Sequence, residues 1–64
     1  MIVWRRLEAG EYESEDERFY IIKTWDRIHL LHWFLRDRNT NKEYTKDSLK
    51  ECQRIAELIL QGVL

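Results

Sequence analysis

Two histidines, one cysteine and a run of carboxylates are the side chains with chemistry to offer. His29 and His32 stand three apart. On a helix that spacing suits a metal pair, whereas on a strand it sends the two rings to opposite faces. No second cysteine or clustered carboxylate completes a tetrahedral set, so no metal site is expected. Cys52, the only cysteine, has no disulfide partner and falls on the apolar side of the closing helix, as a small buried hydrophobe would. Glu11, Glu13, Glu15, Asp16 and Glu17 crowd together, yet nothing marks one of them as desolvated or matched to a second acid of different pKa. No nucleophile–base spacing occurs, and Gly10 and Gly62 are too few for a phosphate loop. These residues point away from an enzyme, and no cofactor is expected.

Contact chemistry is better represented. Glu8, Glu11, Glu13, Glu15, Asp16 and Glu17 make up half of the 12 acids, and no Lys or Arg separates them. From Arg18 onward 9 bases face 6 acids, so the chain is polarised along its length although its net charge is −1. The acidic stretch reads either as a solvated hairpin tip guarding a sheet edge or as a negative patch aimed at a basic partner. In the second reading Glu13, Glu15, Asp16 and Glu17 steer the encounter, and carboxylates along a strand can imitate phosphates. A second set, Arg36, Arg38, Lys42, Lys46 and Lys50, gathers before the last helix with Asp37, Glu43, Asp47 and Glu51 interleaved. It offers phosphate contacts, with Trp25 or Phe34 for stacking, as the alternative reading. The negative net charge makes nucleic acid the less favoured partner.

The elements that position these groups follow from periodicity. Sixty-four residues allow one domain, 1–64, with a thin core. The central stretch Ile28-His29-Leu30-Leu31-His32-Trp33-Phe34-Leu35-Arg36-Asp37 fits both a helix and a strand by local pattern. The aromatic and β-branched run Arg18–Trp25 just before it looks like a strand in need of a partner, and Asp26-Arg27 is hairpin length, so a strand is chosen. Ile2–Leu7 opens as a strand, Glu8-Ala9-Gly10 bends or bulges, and Glu11–Ser14 resumes extended structure. Arg38–Lys42 reads as loop. Thr45, or a capping box from Ser48 to Glu51, starts a helix whose stripe is Leu49, Cys52, Ile55, Ala56, Ile59, Leu60 and Val63. The expected fold is α+β: a three-stranded antiparallel sheet followed by one C-terminal α-helix packed on one face. One helix covers one face. With Phe19, Ile21, Leu31, Trp33 and Leu35 on the helix, or the reverse, Tyr20, Ile22, Leu30, His32 and Phe34 are left on the far side unless Trp4, Tyr12 or the N-terminal segment folds over them. Tyr20, Ile22, His32 and Phe34 are the contact residues chosen. Leu58, Val63 and Leu64 add a route to a homodimer.

The order Trp4, Gly10-Glu11-Tyr12-Glu13-Ser14, Glu15–Ile21, Trp33–Asp37, then Tyr44–Glu51 with Ala56-Glu57 resembles the small β-β-β-α proteins of phage and other mobile elements. That resemblance implies an accessory protein that binds and inhibits a host protein or complex, as anti-CRISPR and other anti-defence factors do. Tyr44-Thr45-Lys46 opening a helix after three strands is similar to the arm-type DNA-binding domains of tyrosine integrases and to AP2 domains, from which the acidic N-terminal half departs. Arg5, Arg6 and Glu8 interrupt any leader-like apolar run, and nothing approaches the roughly 20 apolar residues of a membrane span. A cytoplasmic location without membrane contact is therefore expected.

Overall fold

The computed structural model describes residues 1–25 and 31–64. Five strands, β1 (Trp4–Glu8), β2 (Glu11–Ser14), β3 (Phe19–Trp25), β4 (Leu31–Asp37) and β5 (Lys42–Lys46), precede one helix, α1 (Leu49–Leu60). Each strand pairs antiparallel with the next, giving the order β1-β2-β3-β4-β5. The α+β class and the single C-terminal helix agree with the sequence reading. The strand count does not: the described residues form five strands, not three.

Both extra strands have a local cause. The Glu8–Gly10 stretch does more than bend a continuing strand. Gly10 adopts φ +80°, and the chain reverses there, so that Arg5 lies opposite Glu13 and Arg6 opposite Tyr12. An irregularity between Arg6 and Glu8 shifts the register, so a bulge and a turn occur together. At the other end the loop shortens to a turn in which Asn41 takes φ 60° and its N–H donates to the Asp37 carbonyl at 2.7 Å. Lys42 then starts β5, where period-2 alternation places Tyr44 opposite Leu35. Thr45 is a strand residue, not a cap. Ser48 caps α1, its Oγ accepting from the Glu51 N–H at 3.2 Å. Glu51 reaches back to the Asp47 N–H at 3.3 Å, one residue beyond the Ser48 N–H of a regular capping box.

Residues 31–37 of the ambiguous central stretch form a strand, paired from Trp25↔Leu31 to Phe19↔Asp37. His29, Leu30 and the Asp26-Arg27 connection lie outside the described residues. Alternation along β3 and β4 buries Phe19, Ile21 and Leu35 against Cys52 and Ala56 of α1. Ile2, Trp4, Tyr12, Trp33, Tyr44 and Ile55 close around that nucleus. The helix stripe holds for Leu49, Cys52, Ile55, Ala56 and Ile59, but Leu60 and Val63 are exposed. Trp4 and Tyr12 therefore pack on the helix side, with ring centroids 6.3 Å from Phe19 and 6.2 Å from Trp33 respectively. They do not fold over the far side.

Candidate functional site

The sheet side opposite α1 carries Tyr20 and Ile22 from β3 and His32 and Phe34 from β4, because these alternate with the buried Phe19, Ile21 and Leu35 and the half-buried Trp33 on the helix side. Ile22 lies directly opposite Phe34, and Tyr20 opposite Arg36. All four of the expected contact residues thus share one face, and none is fully buried. Tyr20, Ile22 and Phe34 line a shallow depression of about 250 Å³ with Arg36 and Glu43 on its rim. We call this the open side.

Ion pairs frame it. Arg36 Nη2 meets Glu43 Oε2 at 2.6 Å, and Glu13 bridges Arg5 at 2.8 Å and Arg38 at 2.7 Å. The Arg38 guanidinium lies 5.4 Å from the Tyr20 ring centroid, and its Nη1 also donates to the Glu17 carbonyl. The Arg38 hydrogen bond, reinforced by Arg5, holds the Glu13 carboxyl below its usual range. Burial, with Glu11 nearby, pushes the Tyr20 phenol upward, so it keeps its proton and remains a donor. His32 Nδ1 stands 3.7 Å from Asp47 Oδ1.

The acidic tip divides by role. Asp16 is a turn residue: its Oδ1 accepts from Ser14 Oγ at 2.7 Å and from the Arg18 N–H at 3.1 Å, which lowers its pKa. Glu13 is held by two arginines. Glu15 and Glu17 project as exposed carboxylates, with Glu17 in the left-handed region at φ 66°. Of the four steering residues read from the sequence, these two keep their charge most available.

The basic set does not form one surface. Arg36 and Arg38 are on the open side, each paired with a glutamate. Lys42 and Lys46 lie opposite Asp37 and Trp33, which places them on the helix side at opposite ends of β5. Lys50 is exposed in the first turn of α1. Sequence adjacency hid this split, because strand alternation separates residues that loop spacing would leave together.

Cys52 is fully buried, and burial pushes its thiol up to about 11, as for an inert core cysteine. Among the described residues no group of three His, Cys, Asp or Glu side chains is placed to hold a metal ion. No helix among them is long and apolar enough to cross a membrane. No family model matches the chain, and comparison with curated proteins and with solved structures finds no match.

Proposed function

We propose that this protein is a non-enzymatic protein-binding module whose contact surface is the open side of the sheet. The observation that carries the reading is the grouping of Tyr20, Ile22 and Phe34 around one depression on a face that α1 does not cover. A contiguous apolar patch with a charged rim is the usual anatomy of an interaction site. Tyr20, Ile22, His32 and Phe34 supply the apolar contacts. Arg36 and Glu43 give the rim its directionality, and Glu15 and Glu17 steer a basic partner. In this reading the protein is a cytoplasmic phage or mobile-element accessory factor that blocks a host protein or complex. The biological setting rests on the order of sequence features alone.

The test compares wild type with Phe34→Ala as immobilised bait in host lysate. A partner retained by wild type and lost by Phe34→Ala, with the melting transition preserved, is the expected outcome. Equal retention by both proteins contradicts the assignment. Loss of folding in Phe34→Ala, with Tyr20→Ala folded and still binding, moves Phe34 into the core and removes the surface. A homodimer is the competing occupant, and sedimentation of the isolated protein as a dimer that Phe34→Ala dissociates would replace the host partner with a second copy.

A further inference from the structure

The helix side of the sheet is not fully covered either, and the uncovered part has a different chemistry. Register and alternation place Arg6 opposite Tyr12, Lys23 opposite Trp33, and Trp25 opposite Leu31, all on that side. α1 packs on β3, β4 and β5, and beyond its first turn Trp25 is 63% exposed and Leu31 42% exposed. Tyr12 and Trp33 form a tilted ring pair with centroids 6.2 Å apart and planes inclined at 45°. Lys23 Nζ lies 5.6 Å from the Trp33 centroid.

Charge is sorted through the thickness of the sheet. The strand glutamates Glu8, Glu11, Glu13 and Glu43 fall on the open side. Helix-side strand positions carry Arg6, Lys23, Lys42 and Lys46, and their one carboxylate, Asp37, is buried and bound to Arg18. Arg5, Arg18, Arg36 and Arg38 are all paired with carboxylates, whereas Arg6 and Lys23 form no ion pair among the described residues. The helix acids Glu51 and Glu57 are occupied by the backbone N–H groups of Asp47 and Ile2.

We propose that this surface, built by Arg6, Tyr12, Lys23, Trp25 and Trp33, binds single-stranded nucleic acid independently of the open side. Trp25 offers its indole face to a base, Tyr12 and Trp33 form the fixed wall beside it, and Lys23 and Arg6 take phosphates. An exposed indole, half-buried rings beside it and cations with no ion pair among the described residues suit a sequence-tolerant single-strand site, since every base has a face to stack and every nucleotide a phosphate. An acidic peptide would satisfy the cations but leave the indole unused. A duplex would hide its bases.

The experiment is a titration of the full chain with oligothymidine at low salt, read by tryptophan fluorescence. Binding with quenching is expected, weakening with salt at a logarithmic slope of about −1.4 for two phosphates on a single strand. Trp25→Ala, an exposed position, should weaken it about tenfold, as the loss of one stacked base does. Lys23→Glu combined with Arg6→Glu should abolish it, and Lys42→Gln at the far end of the sheet should leave it unchanged. Phe34→Ala should also leave it unchanged, so the two surfaces stand or fall separately. Absence of binding at low salt overturns the proposal. So does equal affinity for polyglutamate, heparin or a duplex of the same length, or full binding by the Lys23 and Arg6 double variant.

Discussion

The Asp37 carboxylate accepts from Nε and Nη2 of Arg18, both at 3.0 Å, and from the Asn39 N–H at 3.0 Å. It is 1% exposed, at the end of β4 where the chain turns into β5. One side chain thus joins the start of β3, the end of β4 and the turn after it, while the Arg18 guanidinium rests 4.9 Å from the Phe19 ring centroid. Removing one partner of such a pair strands the other, so Asp37→Ala should cost about 3 kcal/mol in chemical denaturation. The acid response follows from the same bond. The Arg18 hydrogen bond lowers the Asp37 pKa below its ordinary 3.8. Below that value the unfolded chain takes up protons that the folded chain refuses, so stability falls as pH drops. Melting at a series of pH values should show loss of stability beginning near pH 4, less marked in Asp37→Ala; a transition insensitive to acid would contradict the assignment. In the sequence Asp37 looks like one more interleaved surface acid. Alternation from Leu31, Trp33 and Leu35 places it on the helix side, but its partner Arg18 lies 19 residues away, and spacing does not reveal that bond.

Single elements were legible where amphipathic period and capping chemistry agreed. The α1 stripe from Leu49 to Ile59, the Ser48 cap as one of the two starts read, and the β3–β4 pairing follow from residue pattern, whereas Leu60, Val63 and the Thr45 start do not hold. The sheet width was not legible, because it depends on two turns whose signals are weak. Glu8-Ala9-Gly10 reads equally as a bend or a bulge, and Arg38–Lys42 reads as plain loop until Asn41 at φ 60° closes it. Gly10 is the decisive position: at φ +80° any side chain is strained, and a Cβ there would sit 3.3 Å from the Lys23 Cβ. Gly10→Ala should therefore destabilise the fold by about 1–2 kcal/mol, lowering the melting temperature by several degrees. An unchanged melting temperature would mean that the β1–β2 hairpin contributes little. The candidate contact residues were assigned to one face correctly because strand alternation survives an error in strand number. The basic set was not, because it straddles β4, β5 and α1.

For the whole molecule, the consequence of five strands and one helix is two surfaces of unlike character. The open side pairs its charges and gathers Tyr20, Ile22 and Phe34. The uncovered part of the helix side holds Arg6 and Lys23, which form no ion pair among the described residues, together with exposed Trp25. A net charge of −1 conceals this sorting, since the open side mixes glutamates with Arg5, Arg36 and Arg38 while the helix-side strand positions are mainly cationic. Exposed Met1, Val3 and Leu60 near the chain ends line a separate apolar hollow of about 300 Å³, where the Ile2 N–H is held by Glu57 Oε1 at 3.0 Å. The account stands on the open side being bare in the isolated protein and covered in the complex. Hydroxyl-radical footprinting, with modification read at each residue, measures that directly. Tyr20 and Phe34 should be modified in the free protein and protected when the captured partner is bound, while the buried Phe19 stays unmodified in both. Tyr20 and Phe34 shielded already in the free monomer, or modified equally in the complex, would contradict it.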